Sequence, residues 1–179
     1  MKKILFLALV ILFFGSFNAV KSPKIKIRNG SFTINKFKVN TNWSLKEFID
    51  LLGKPEKEKD GFNKTHTYDN LGIILFEKAE DKVPTGKILE VQFYFDTSLE
   101  KNERTPETAF NSTIRVDALK ASKKLTPKIM REKLVDWKET DSYMKHNFRM
   151  HKGDLYIYFR FNDDETALAK MSIGLNNKQ

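Results

Sequence analysis

The stretch Phe32-Thr33-Ile34-Asn35-Lys36-Phe37-Lys38-Val39 decides how the chain is interpreted, because its pattern recurs about 82 residues later. Apolar and polar residues alternate, and the alternation shifts phase at Asn35-Lys36. The second copy is Ile114-Arg115-Val116-Asp117-Ala118-Leu119-Lys120-Ala121, and its phase shifts at Asp117-Ala118. A phase shift across two residues predicts a tight hairpin, because both strands then direct their apolar side chains at one core. The sequence therefore predicts an internal duplication.

A helix start follows the first hairpin. Ser44 stands three residues before Glu47, the capping-box spacing, in which the hydroxyl accepts from the Glu47 N–H and the carboxylate reaches back to the Ser44 N–H. Trp43 and Phe48 have the spacing of a hydrophobic staple. The helix is expected to end at 53–55, where a glycine is followed by a proline.

A second helix start follows the second hairpin at the same offset. Thr126 is the expected N-cap, and Pro127 occupies the first helical position, where its missing N–H costs nothing. Leu125 and Met130 have the staple spacing, and an apolar stripe continues to Trp137.

Apolar or alternating runs follow each helix and predict about three strands per copy. The runs are 65–68, 72–76 and 88–95 in the first copy and 147–150, 155–161 and 170–175 in the second. We therefore predict an α+β fold of two similar halves, each with a β-hairpin, one helix and a roughly three-stranded antiparallel meander. The halves would be residues 21–97 and 111–179, joined by a linker at 98–110. Whether they share a sheet stays open.

Residues 1–20 have the layout of a secretory signal peptide, with an alternative end at residue 22. Lys2-Lys3 precedes the uncharged apolar run Ile4–Phe14, which is too short for a membrane span of about 20 residues. This predicts an exported protein, periplasmic or secreted, or a membrane-anchored one if the leader is not cleaved. The chain has no cysteine, so the exported protein would depend on core packing instead of disulfides.

Basic residues are concentrated in two zones of a chain whose formal charge is +9. The zone Lys21–Lys38 has no acidic residue, and the zone Lys120–Lys133 has one, Glu132. The candidate binding residues are Lys24, Lys26, Arg28, Lys36, Lys38, Lys120, Lys123, Lys124, Lys128 and Arg131. Because basic and apolar residues alternate from Lys24 to Arg28, we expect an edge strand with one basic face.

An acidic protein is the partner that this charge favours, since complementary charge speeds encounter and suppresses wrong partners. An anionic membrane surface is the alternative. Nucleic acid is disfavoured because the basic zones lack RNA-binding aromatic patterns and an exported protein rarely meets nucleic acid. The plain interpretation, a solvated basic surface without a partner, also stays open, as does the oligomeric state.

The sequence contains no pattern that predicts catalysis. Nucleophile-elbow, zinc-protease and Walker motifs are missing. His66, His146 and His151 are the only histidines, and their spacing does not suit a metal site, so no catalytic residue, metal or cofactor is expected. Tyr156 and Tyr158 alternate with apolar neighbours, and their face would be core if covered or an aromatic interface patch if exposed.

Two family resemblances bear on function. The run 44–55, SLKEFIDLLGKP, followed by strands, resembles the helix-Leu-Gly-x-Pro-strand pattern of envelope domains related to the outer-membrane assembly lipoprotein BamE and to β-lactamase inhibitor protein. The hairpin, "LLGKP", "YDNLGI" and long strand together are similar to domains of immunity proteins that neutralise toxins delivered between bacteria. These resemblances imply a non-catalytic, immunity- or inhibitor-like binding factor, or alternatively a structural or assembly factor of the envelope contacting lipid or outer-membrane proteins.

Overall fold

The computed structural model describes residues 22–40, 42–140 and 144–175, and the predicted leader lies outside these ranges. Two short helices are present within these ranges, α1 (Leu45–Leu52) and α2 (Pro127–Lys133). The strands are β1 (Ile25–Arg28), β2 (Ser31–Ile34), β3 (Phe37–Lys38), β4 (Lys57–Lys59), β5 (Lys64–Tyr68), β6 (Ile73–Glu80), β7 (Val83–Tyr94), β8 (Ile114–Val116), β9 (Leu119–Ala121), β10 (Lys138–Thr140), β11 (Asn147–Lys152), β12 (Leu155–Phe161) and β13 (Leu168–Leu175).

These strands form two sheets, and each sheet contains strands from both predicted halves. The five-stranded sheet has the order β3-β2-β1-β8-β9, and the eight-stranded sheet has the order β10-β11-β12-β13-β7-β6-β5-β4. The pairing of β1 with β8 is parallel, and the other pairings are antiparallel. The question of a shared sheet, which the sequence left open, is therefore answered: the halves share both sheets.

The strand order is symmetric about the middle of each sheet. In the five-stranded sheet the hairpins β2–β3 and β8–β9 flank β1, and they run in opposite directions because β1 is antiparallel to β2 and parallel to β8. In the eight-stranded sheet the meanders β4–β7 and β10–β13 meet at the antiparallel pair β7–β13. This arrangement places the two hairpins side by side in one sheet.

The expected α+β class is wrong, because the part of the chain that the structure describes is mostly β, with 46% strand and 10% helix. The helices α1 and α2 contain only eight and seven residues. Each meander has four strands instead of about three, since the charged segments β4 and β10 pair at the outer edges of the eight-stranded sheet. Charged edge strands lack the apolar alternation by which strands are recognised in a sequence.

The expectation of an edge strand at Lys24–Arg28 is also wrong. Strand β1 pairs with β2 on one side and with β8 on the other, and Ile25 lies opposite both Ile34 and Ile114. The pairing with β8 joins residues that are far apart in the chain, so no local pattern could show it. Strand β1 is therefore the centre of the five-stranded sheet.

The core contains apolar side chains from both sheets and both helices in one cluster. Near α1 it is aromatic: the Trp43 and Phe48 rings lie 6.0 Å apart, and the Phe32 and Trp43 rings lie 5.1 Å apart. The predicted staple is thus formed, and Trp43 and Phe48 are buried. The core faces of β1, β8 and β9 bury their apolar residues in this cluster and leave the alternate side chains outside.

The predicted linker 98–110 contains no helix or strand, yet its end packs on the protein. Phe110 is buried, with its ring 5.1 Å from that of Phe93 and 5.6 Å from that of Phe95. The Thr108 hydroxyl donates to the Asp69 carbonyl oxygen at 2.6 Å. The segment is therefore a fixed strap against the eight-stranded sheet.

Candidate functional site

The outward face of the five-stranded sheet carries a cluster of exposed cations, which we call the basic face. It consists of Lys24, Lys26, Arg28, Arg115 and Lys120. Along β1, β8 and β9 the buried and exposed positions alternate, so apolar residues point to the core and the cations point outwards.

Strand register brings these cations close together. Lys26 lies opposite Arg115 across the parallel β1–β8 pair, and Arg115 lies opposite Lys120 across the antiparallel β8–β9 pair. Neighbouring strands are about 4.8 Å apart, and alternate residues of one strand are about 7 Å apart. The three central cations therefore form a row across the sheet, with Lys24 and Arg28 on either side of Lys26.

A shallow cavity of about 440 Å³ lies within the basic face. Its lining includes Lys24, Lys26, Arg115 and Lys120, together with the hydroxyl-bearing residues Ser112 and Thr113. Ammonium, guanidinium and hydroxyl groups all donate hydrogen bonds. The cavity can therefore accept an anionic group such as a carboxylate or a phosphate.

No ion pair compensates these charges among residues 22–40, 42–140 and 144–175. The nearest acidic residue in sequence, Asp117, lies in the β8–β9 turn and is already engaged. It accepts from the Trp137 indole N–H and from Lys152, both at 2.9 Å, and from the Asn29 N–H at 3.2 Å. Burial raises the pKa of Asp117, but these hydrogen bonds outweigh it and leave the pKa below its usual value. The basic face thus has a strong unbalanced positive charge.

Unbalanced cations on neighbouring strands should reduce stability at low salt, because like charges directly opposite each other repel. We expect the variant Arg115→Gln, which removes the middle charge of the row, to raise the melting temperature by about 2 °C at low ionic strength. The gain should vanish above about 0.5 M salt, where the charges are screened. Thermal unfolding at both salt concentrations tests this, and an equal change at both would show that the repulsion is not present.

Four of the ten candidate residues from the sequence, Lys24, Lys26, Arg28 and Lys120, meet in the basic face. Lys36 and Lys38 belong to the turn before β3 and to β3, the edge strand of the same sheet. The residue that sequence reasoning missed is Arg115. The alternation of Ile114–Ala121 placed Arg115 on the outward face, but Arg115 lay outside the zone Lys120–Lys133 that was chosen for its charge density.

The remaining candidates do not belong to the basic face. Lys123 forms an ion pair with Asp96 at 3.1 Å. Arg131 donates from two nitrogens to Glu139, each at 2.9 Å. Lys124 and Lys128 are exposed, in the turn before α2 and in α2 itself. Lys123 and Arg131 are thus part of the fold's own ion pairs.

The three histidines are not brought together. His66 is buried on β5, whereas His151 lies on β11, and four strands separate β5 from β11 in the sheet. His146 precedes β11, and its Nδ1 lies 3.1 Å from Glu165 Oε1. Among the described residues, no group of three or more histidine, cysteine, aspartate or glutamate side chains could hold a metal ion.

Most of the described sequence matches a known family model. Residues 24–131 match the family model described as "Domain of unknown function (DUF7738)". The chain belongs to this family. The matched range includes all five cations of the basic face. No curated protein matches the chain.

The chain is also similar to two solved structures. One is a DUF4309 family protein (YjgB) from Bacillus subtilis, with 12% identity, a TM-score of 0.44, and coverage of 82% of this chain and 88% of that one. The other is a cysteine-rich secretory protein (SAV1118) from Staphylococcus aureus, with 12% identity, a TM-score of 0.38, and coverage of 87% and 49%. Within the described ranges, neither helix has the length and apolar character that a membrane crossing needs.

Proposed function

We propose that this protein is an exported, non-catalytic binding factor, immunity- or inhibitor-like, that binds an acidic protein through the basic face. The observation that carries the proposal is the row Lys26–Arg115–Lys120, which is exposed and has no ion pair among the described residues. A fold gains nothing from placing like charges opposite each other, whereas a binding surface gains a field that attracts an anionic partner.

The central position of β1 also supports this proposal. The row is built on the paired strands β1, β8 and β9, whose apolar side chains are buried in the core. Binding groups on a rigid sheet lose less conformational freedom on association than groups on loops. The basic face is therefore pre-organised for a partner of complementary charge.

The experiment is a capture assay in which the full chain without its predicted leader is immobilised and exposed to an extract of the cell envelope. The test variant reverses the row with Lys26→Glu, Arg115→Glu and Lys120→Glu. The matched control has the same change in net charge, with Lys54→Glu, Lys82→Glu and Lys133→Glu, three exposed lysines on other elements. We expect the wild type and the control to retain one acidic protein and the test variant to lose it at least tenfold.

Two outcomes would overturn the proposal. Equal loss in the test and control variants would show that net charge alone is responsible. Retention only of lipid, with no protein, would favour the alternative of an envelope-associated factor. Capture should also weaken when salt rises from 0.05 to about 0.5 M, because the Debye length falls below about 5 Å.

A further inference from the structure

A second site lies on the face of the eight-stranded sheet that is turned away from the core. The outward residues of β7, β11, β12 and β13 form a groove there, with a volume of about 270 Å³. Its lining includes Glu90, Gln92, Arg149, Tyr156, Tyr158 and Lys170. The two tyrosines are half-buried, so their face is neither core nor a fully exposed patch.

The polar groups at one end of the groove form a closed network around Glu90. The Tyr156 hydroxyl donates to Glu90 Oε2 at 2.6 Å, and Gln92 Nε2 donates to Glu90 Oε1 at 2.6 Å. A carboxylate that accepts two short hydrogen bonds is fixed in position. Glu90 therefore orients the Tyr156 ring, which forms one wall of the groove.

A second network surrounds Glu100, which the strap supplies. Glu100 pairs with Lys170, at 2.9 Å, and with Arg160. Lys170 is largely buried, and this burial, together with the charge of Arg160, lowers its pKa to about 8. The region thus has two carboxylates, each already engaged. Burial and the charge of Arg160 both disfavour the protonated form of Lys170.

Arg149 is the third cation of the region and has no carboxylate. Its Cζ atom lies 4.6 Å from the centroid of the Tyr156 ring, so the guanidinium is held against the aromatic wall. Among the described residues, its side chain forms neither an ion pair nor a side-chain hydrogen bond. A guanidinium fixed on an aromatic ring presents a planar fork that matches a carboxylate bidentately.

We propose that this groove binds a small organic carboxylate, with Arg149 pairing with the carboxylate and Tyr156 and Tyr158 contacting the body of the ligand. Three cations and two carboxylates leave the region one anion short, and a monocarboxylate supplies it. The volume lies just below the range of small-molecule sites, about 300–1,000 Å³, which fits a small ligand such as an aromatic acid.

The test is an NMR titration of the ¹⁵N-labelled chain with benzoate, with benzamide as the uncharged control. We expect benzoate to shift the amide signals of β11, β12 and β13, and benzamide to bind at least tenfold more weakly. The variant Arg149→Gln should weaken benzoate at least tenfold, and it should fold normally because Arg149 is exposed. A second pair of ligands, N-acetylphenylalanine and its amide, tests whether the groove also accepts the terminal carboxylate of a peptide.

The matched control is Lys133→Gln, which removes one exposed positive charge from α2 and leaves the groove intact. Benzoate affinity unchanged in this variant supports the groove. Equal affinity of benzoate and benzamide, or benzoate binding that survives Arg149→Gln, would overturn the inference. Because the inference does not rest on an acidic protein partner, its failure and the failure of the proposed function are separate results.

Discussion

Replacing His66 by alanine is expected to lower the free energy of unfolding by about 3 kcal/mol, because the buried Glu77 carboxylate loses its imidazole partner and keeps only the Gly86 N–H as a donor. His66 is 1% exposed and Glu77 is 3% exposed. His66 Nε2 lies 2.7 Å from Glu77 Oε2, and Nδ1 lies 3.2 Å from Glu58 Oε1. The imidazole therefore bridges a buried and a half-exposed carboxylate.

Two variants test the reason for this loss. His151→Ala changes a half-buried histidine on β11 and should cost no more than about 1 kcal/mol. The double variant His66→Ala/Glu77→Ala removes the stranded charge as well, so its cost should be clearly smaller than the sum of the two single costs. Urea unfolding of these variants and of the single variant Glu77→Ala gives these values. Additive costs would show that His66 stabilises the fold by packing alone.

Substituting Gly72 by alanine is expected to cost about 3 kcal/mol, because the strap lies directly against this residue. Gly72 has φ +69°, and an added Cβ would lie 2.3 Å from Phe110 N and 2.7 Å from Ala109 C. Both neighbours are backbone atoms, and Phe110 N is held by a hydrogen bond to Tyr94 O at 2.5 Å. The strained dihedral and the collision both oppose the substitution.

Gly86→Ala is the matched control, since it separates the cost of the positive φ from the cost of the steric clash. Gly86 has φ +76°, but nothing lies within 4 Å of an added Cβ. We expect this variant to lower the free energy of unfolding by about 1 kcal/mol, which is the cost of the left-handed backbone conformation alone. The difference between the two costs, measured by denaturant unfolding, reports the contact of the strap with the β5–β6 turn. Equal costs would contradict the close packing of Phe110.

The local elements of the fold were predictable because their signals are local. Both predicted N-caps are formed: Ser44 Oγ accepts from the Glu47 N–H at 3.3 Å, and Thr126 Oγ1 accepts from the Ile129 N–H at 3.5 Å. The predicted hairpins at Asn35-Lys36 and Asp117-Ala118 are also present. The capping box differs in one detail, since Glu47 Oε1 accepts from the Asn40 N–H at 2.8 Å.

The long-range pairings were not predictable from the sequence. Pairing of Ile25 with Ile114 joins the two hairpins through β1, and nothing in either segment specifies the other as its neighbour. Helix α2 ends at Lys133, so Trp137 lies beyond it despite the helical spacing of the apolar stripe. The Trp137 indole instead donates to Asp117, and this tertiary contact has no counterpart in local spacing.

The basic character of the candidate site was predictable from the sequence, but only some of its residues were. Charge density identified Lys26 and Lys120, but their alignment through Arg115 depends on the register of β1 with β8. The same density also selected Lys123 and Arg131, which pair with acidic residues that are distant in sequence. Net charge in a segment therefore cannot separate cations that bind a partner from cations that stabilise the fold.

The most direct measurement of the central claim is photo-crosslinking in the producing cells from position 33. Thr33 lies on β2 opposite Lys26, beside the row of cations, and is half-exposed. A photoreactive phenylalanine analogue at position 33 should form an adduct with one acidic exported protein, and reversal of Lys26, Arg115 and Lys120 should abolish it. The same analogue at the exposed position 54 should form no such adduct. Adducts with lipid alone, or equal protein adducts from both positions, would contradict binding through the basic face.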